Sequence, residues 1–508
     1  MKKTRIAGIA VILSVFLLIF NSCKKDFETI NKDPNNAGLD KAAPDMLLTS
    51  AIESMTDRVY ETFLGEEMGN CWAQHEAKVQ YTDEDRYIYR VTVVNNTWAS
   101  FYAANGMDVV TLYNIAVKKQ HKNYQGVALV LKSYITSVLT DLFGPVPYTQ
   151  AWLGAENTLP GYDTQESIYR DIIAKLDEAN TLLDASGEAI EGDILYNNNI
   201  NSWKKFANSL RMRLLLRMSA KDEAFVTTEF TKMVADPTTY PIFESNADNA
   251  ALQYLGSAPN NNPYNENRKT RDDHRVSKTL VDQMWTNSPN VDWRICIYAD
   301  LDELGNYDGM PNGLTSSQAA SYNGNGIKNT SKVGSWFLRA EAPGMLMSYA
   351  ELQFILAEAA FKGYFPGDAE TYYYAGIYGS YNQFGADLVT AADDALGVTA
   401  GWTADSLAAD FIAKDIYAWD AANGMELIAT QRWAATFDQG LQTWFEWRRT
   451  GYPVLTPAIA GTNNGKIPVR VPYPTDEAAR NPTSLAAGVS LLGGADDLNT
   501  RVWWDVTP

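Results

Sequence analysis

The chain has 508 residues, 46% hydrophobic and 20% charged, which excludes a disordered or low-complexity protein and allows a large core. A net charge of −19 makes it a poor match for phosphate backbones and excludes nucleic-acid binding as its main task. Three cysteines cannot build a disulfide framework, and 12% aromatic content supplies rings for a core or for a ligand surface.

Lys2, Lys3 and Arg5 precede an apolar run over 6–20. A spanning helix needs about 20 such residues, so this run has the length of a signal-peptide core. Ser22 then stands directly before Cys23, where a bacterial lipoprotein signal presents the thiol that accepts lipid. Phe20 and Asn21 occupy positions where small residues are more usual. An ordinary secretory signal with an incidental Cys23 is the plainer alternative, but the position of the thiol favours lipidation. Residues 31–38 are dominated by Asn, Asp, Pro and Gly and read as a tether. No later run is read as long and apolar enough to span a bilayer, and barrel-type alternation does not recur. The expectation is a protein anchored to a membrane by lipid.

Further along, the pattern is mostly helical. Residues 87–94 alternate and suggest a strand. The apolar run 125–142 has helical length and stops at Gly144-Pro145. In 164–183, Asp163 and Glu166 open a helix whose stripe is Ile168, Ile172, Leu176, Ala179 and Leu183. Trp203, Phe206, Leu210 and Leu214 share one face of 202–218. In 348–362, Ser348 and Glu351 have capping-box spacing, and Leu352, Ile355, Leu356 and Ala359 form the stripe before Gly363. Small residues at Ala357, Ala359, Ala369 and Ala375 allow two helices to approach closely, as in tetratricopeptide units. Two stretches, about 240–345 and 453–500, are rich in Asn, Gly, Pro and Tyr and read as irregular. The fold class is therefore all-α, with small β pieces.

Signals for catalysis are absent. His75, His121 and His274 have no partner at metal-ligand spacing, and no nucleophile elbow or P-loop occurs. Carboxylates are plentiful, so a glycosidase pair stays open as an alternative, though acidic residues on helices are normally solvated. Cys71 and Cys296 read as buried thiols, with a disulfide between them as the alternative. No enzyme, metal or cofactor is expected.

Several stretches together resemble the SusD/RagB family of Bacteroidetes outer-membrane lipoproteins, most closely its SusD-like second branch. They are Asp33-Pro34-Asn35, Asp141-Leu142-Phe143-Gly144-Pro145-Val146-Pro147-Tyr148, and Trp203-Lys204-Lys205-Phe206-Ala207-Asn208-Ser209-Leu210-Arg211-Met212-Arg213. Further on come Tyr307-Asp308-Gly309-Met310-Pro311-Asn312-Gly313 and Ala350-Glu351-Leu352-Gln353-Phe354-Ile355-Leu356-Ala357-Glu358-Ala359. The last two are Arg448-Arg449-Thr450-Gly451-Tyr452-Pro453 and Ile467-Pro468-Val469-Arg470-Val471-Pro472-Tyr473-Pro474. The resemblance implies tetratricopeptide-like helix pairs carrying a loop-rich ligand-binding part. It implies a signal peptide over 1–22, a lipidated tether over 23–40 and a single SusD-like domain over 41–508. It further implies a non-enzymatic surface protein that captures oligosaccharides, with oligopeptides as the second theme, and delivers them to a SusC-like TonB-dependent barrel.

The signature residues Asn208, Arg211, Arg213, Arg448 and Arg449 read as polar groups that tie helices together, so they do not name the ligand. Sugar sites combine rings with a few fixed polar groups. Trp72, His75, Asn96, Trp98, Tyr264, Tyr307 and Trp336 supply that mixture in the more irregular parts and are the candidate binding residues. Trp203, Trp444 and Trp447 are assigned to the core.

Overall fold

The computed structural model describes residues 42–286, 290–397, 401–414 and 416–506. The signal segment, Cys23 and the whole tether over 23–40 lie outside these residues. The residues from Pro44 onward form one compact unit.

The apolar run expected at 125–142 is the helix Lys122–Phe143, ended by Gly144 at φ 86°, a conformation that a Cβ disfavours. By length and composition it could cross a membrane, contrary to the sequence expectation. Nearly all its residues are buried against helices Asn105–Lys118 and Gln165–Leu182, so it is a core helix. Thr164, rather than Asp163, caps Gln165–Leu182, accepting from the Ser167 N–H at 3.2 Å. The Asp163 carboxylate instead accepts from the backbone N–H groups of Tyr148 and Thr149. The stripe from Ile168 to Leu183 is buried as its spacing requires. Helix Ile200–Arg217 packs on Gln165–Leu182 and buries Trp203, Phe206, Leu210 and Leu214.

Residues 87–94 are not a strand. Helix Val91–Ala99 takes its second half, because Val93, Val94, Thr97 and Trp98 share a buried helical face. The stretch 453–500 is more regular than expected, since it contains helices Thr475–Arg480 and Pro482–Leu492.

Helix Tyr349–Phe361 joins two cores. Leu352, Ile355, Leu356 and Ala359 face the core of the N-terminal helices. Ala350, Phe354 and Ala357 face a second core, built with helices Ala369–Asn382, Gly385–Leu396, Ala404–Ile412 and Gly424–Ala435. A helix apolar on both sides is buried on both sides. Its neighbour Ala369–Asn382 lies so close that a Cβ on Gly376 would stand 2.7 Å from the Phe354 ring. The segment 240–345 caps this second core with Val276, Ile295, Tyr298, Tyr307, Val333 and Phe337. Short antiparallel pairs fasten that segment: Glu76–Lys78 with His274–Val276, and Ala250–Leu252 with Gly344–Met347.

A chain of buried ion pairs crosses the junction of the two cores. Arg213 grips Glu351 with two nitrogens, and Arg432 reaches both Glu351 and Glu446 at 2.9 Å. Arg217 bridges Glu446 and Asp141, and Arg449 holds Glu358 and Glu446. Ser348 still caps helix Tyr349–Phe361 through the Glu351 N–H. The reciprocal half of the expected capping box does not form, because the Glu351 carboxylate is taken by the two arginines. Arg448 donates to the carbonyls of Val469 and Asp141, and Asn208 to Asn180 and the Pro241 carbonyl. The signature residues therefore hold helices together, as the sequence reading expected.

Burial pushes the Glu358 carboxyl up, but Arg449 and Lys362 outweigh it and hold it at about 2. A carboxyl below its unfolded value stabilises the fold above pH about 4.5, and that contribution is lost as pH falls toward 2. Glu358→Gln leaves Arg449 short of its partner and is expected to cost about 3–5 kcal/mol at neutral pH. In thermal unfolding from pH 7 to pH 3, the gap between variant and parent should narrow below pH about 4.5. A constant gap would refute this role for the pair.

Candidate ligand-binding site

The structure separates the candidate residues. Trp72, His75 and Tyr264 are core residues with no face for a ligand, which corrects their assignment. The Trp72 indole donates to the Glu84 carbonyl at 2.9 Å and packs edge-on to Trp444. His75 lies between Trp433 and Phe437, with Nε2 2.9 Å from the Trp433 carbonyl, and burial lowers its pKa to about 3. Tyr264 packs on Tyr60. Their Asn- and Gln-bearing neighbourhoods in the sequence conceal burial: Trp72 and His75 follow the π-helical turn Thr62–Asn70, and Tyr264 lies on the short helix Pro263–Arg268. Asn96 is exposed on helix Val91–Ala99. Trp98, on the same helix, belongs to an aromatic cluster with Tyr102, Phe143, Tyr162 and Tyr473 and shows one edge to a small cleft of about 280 Å³. Trp203 and Trp444 are fully buried, and Cys71 and Cys296 are buried free thiols.

Tyr307 and Trp336 do meet. They line one cleft of about 560 Å³, with Ala299–Leu301 on one side and helix Gly385–Leu396 on the other. Tyr307 is a wall support: it is 4% exposed, packs edge-on to Trp285, and hydrogen-bonds the Cys296 thiol. Trp336 is half-buried. Phe337 and Phe384 pack against it edge-on at 4.9 and 5.0 Å, and its indole N–H donates to Asp387 Oδ2 at 2.8 Å. The Arg339 guanidinium lies 4.5 Å from the ring centroid, a cation–π distance, and 3.6 Å from the same Asp387 oxygen. The ring is thus held in one orientation by contacts around its edge and by a cation on a face.

Trp336 and Arg339 also line a second cleft of about 560 Å³, whose walls carry Asn246, Asn249, Gln253 and Gln383. The pair forms a ridge between an amide-bearing cleft and one bearing Asp300, Asp387 and Asp394. Burial raises the Asp300 carboxyl, which accepts from the Ser335 N–H at 3.0 Å. A larger groove of about 770 Å³ beside Pro259 and Asn261 carries one ring, Phe63, with the Arg90 guanidinium 4.3 Å from its centroid.

Sequence reasoning missed Arg339, Asp387 and the helical wall of this cleft. Asp387 carries no local signal, since it lies 51 positions from the ring it holds. Trp152 was also missed. It stands in the left-handed region at φ 58°, stacks on Tyr102 at 5.2 Å, and separates the Trp98 cleft from one of about 430 Å³ that contains Lys132 and Asp171. A tryptophan followed by Leu153-Gly154 in a turn-rich stretch was the available signal. Three metal-type donors, on Glu66, Glu76 and His274, also converge; none of these residues lines the Trp336 cleft.

A family model described as SusD-like, starch-binding and associating with the outer membrane matches residues 34–474. The chain belongs to the SusD-like family. Among solved structures it is similar to a chitin-binding protein, at 27% identity and TM-score 0.79, covering 92% of this chain and all of that one. A SusD homologue from Bacteroides fragilis NCTC 9343 gives 26% identity and TM-score 0.75, covering 92% of this chain and 100% of that chain. A chitin-binding SusD homologue from Flavobacterium johnsoniae gives 25% identity and TM-score 0.76, covering 92% and 98%. No match was found among curated protein sequences. The SusD-like family is one of outer-membrane-associated binding proteins, and the all-α architecture with small β pieces is the SusD-like fold.

Burial separates the roles of the tryptophans. Trp72→Ala is expected to destabilise the chain by about 3–5 kcal/mol, as for a large ring removed from a packed core. Trp336→Ala, at a half-buried cleft wall, should cost well under half of that. Equal losses in urea unfolding would place Trp336 in the core.

Proposed function

We propose that this chain is a non-enzymatic outer-membrane lipoprotein, lipidated at Cys23 and facing the cell exterior. It captures oligosaccharides at the Trp336 cleft and delivers them to a SusC-like TonB-dependent barrel. The observation that carries the site is the Trp336 ridge, an oriented ring between amide and carboxylate walls. A ring packs on the apolar face of a sugar, while amides and carboxylates bond its hydroxyls. The starch-binding description of the family and the chitin-binding neighbours support the ligand class. Asp300, Asp387 and Asp394 beside Arg339 favour an oligopeptide as the second reading, because peptide termini and side chains pair with such charges.

Calorimetric titration with chito- and malto-oligosaccharides tests the proposal. Trp336→Ala should remove about 1–2 kcal/mol, or roughly tenfold in affinity, with the unfolding midpoint nearly unchanged. The sugars should be recovered intact. Cleavage abolished by Asp300→Asn would replace capture with a glycosidase, and binding of peptides alone would replace the ligand class.

Anchoring and partner have separate tests. Cys23→Ala should release the protein from membranes; retention in high salt would refute the lipid anchor. A lipid-anchored protein cannot itself carry a ligand across a bilayer, so gentle detergent extraction should recover it with a much larger barrel protein. Recovery of the chain alone, under conditions that keep other such pairs together, would count against the barrel.

A further inference from the structure

A second constellation lies apart from the residues of that cleft. The π-helical turn Thr62–Asn70 carries Glu66 and Glu67, and the antiparallel pair Glu76–Lys78 with His274–Val276 sets Lys78 opposite His274. π-turns inside a fold frequently mark functional positions. One donor atom each of Glu66, Glu76 and His274 lies within 4.8 Å of the others. All three side chains are fully shielded from solvent.

The distances distinguish hydrogen bonding from ligation. His274 Nε2 is 3.6 Å from Glu66 Oε2 and 3.8 Å from Glu67 Oε1. These separations are too long for hydrogen bonds, and Nε2 has no hydrogen-bond partner. Glu76 Oε2 likewise has none, with the Arg268 guanidinium 4.0 Å away. Two donor atoms bound at about 2.1 Å to one tetrahedral ion stand about 3.4 Å apart; His274 Nε2 and Glu66 Oε2 are 3.6 Å apart, and all three donors lie within 4.8 Å of one another. On its other side the imidazole places Nδ1 3.5 Å from Asp273 Oδ1, without a hydrogen bond between them here, on the side where metal-binding histidines are held by a carboxylate.

Charge points the same way. Glu66, Glu67, Glu76, Asp273 and Asp438 are buried together, while the cations in ion-pair contact with them are buried Lys78, part-buried Arg268 and Arg90. Lys78 is engaged by Glu67 and Asp273, and Arg268 by Glu66. Glu76 accepts from the Asn70 amide through Oε1 at 2.8 Å, and its nearest cation, Arg268, is 4.0 Å from Oε2. A carboxylate this weakly paired in a shielded site is costly, and a bound cation removes that cost.

We propose that Glu66, Glu76 and His274 bind a divalent transition-metal ion of the Zn²⁺ class, with Asp273 orienting the imidazole. An imidazole donor selects such ions over Mg²⁺ and Ca²⁺, which prefer all-oxygen sites. The ion is structural. It joins the turn that opens the helical scaffold to the strand His274–Val276 of the loop-rich segment, at a place closed to substrate.

Metal content and melting of the full chain in detergent test this, with Zn²⁺, Mn²⁺ and Ca²⁺ as probes. After stripping with a strong chelator and dialysis, Zn²⁺ should return to one ion per chain and raise the unfolding midpoint, whereas Ca²⁺ should do neither. Glu76→Gln supplies the second readout. If Glu76 is a ligand, the substitution abolishes metal uptake and the metal-dependent rise. If it is merely a buried unpaired charge, the substitution leaves the midpoint unchanged or higher. His274→Gln should also abolish uptake. A stripped chain that takes up no Zn²⁺ and melts as before, or a Glu76→Gln chain that keeps full uptake, overturns the proposal.

Discussion

The rest of the structure depends on the requirement that charges removed from water find opposite charges. Asp141, Arg213, Arg217, Glu351, Arg432, Glu446, Glu358 and Arg449 form a continuous ion-pair chain. Its links join residues 138 and 229 positions apart in sequence, so it can close only when several helices have the right rotation about their axes. A one-residue slip of any of them would leave a buried charge unmatched, which costs more than the pairing gains. The last turns of the chain are drawn in as well, because the Trp504 indole donates to Asp141 Oδ1 at 2.7 Å. Apolar burial supplies the bulk of the driving force, and this network restricts which packing of the helices is allowed.

The helical scaffold was legible from sequence because its signals are local. Apolar spacing, a capping serine at Ser348 and terminating glycines at Gly144 and Gly363 fall within a few residues of what they control. The misreadings arose where a distant partner decided the outcome. Glu351 was available to cap its own helix, but two arginines from other helices claimed it. Residues 87–94 alternate, yet packing made the second half of them the start of a helix that buries Trp98.

The candidate site was less legible, for a related reason. Aromatic residues near Asn and Gly looked like surface rings, whereas Trp72 and Tyr264 found partners deep in the fold. Trp336 keeps an exposed part while Asp387 holds its indole N–H and Arg339 lies over a face; Arg339 is only three residues on, but Asp387 is 51 positions away. The convergence of Glu66, Glu76 and His274 was equally invisible, since ligand spacing along the chain does not cover a gap of this length.

Helix Tyr349–Phe361 lies between the two cores, and its two buried faces belong to one rigid rod. Any swing of the cleft-bearing half would drag that rod and strip apolar surface from the other half. Gross hinge opening is therefore suppressed, and the order in the cleft walls is established during folding. A ligand entering such a site loses its own freedom but need not order the protein. Selectivity among related ligands should then be expressed mainly in residence time, set by how well each fits walls that do not yield.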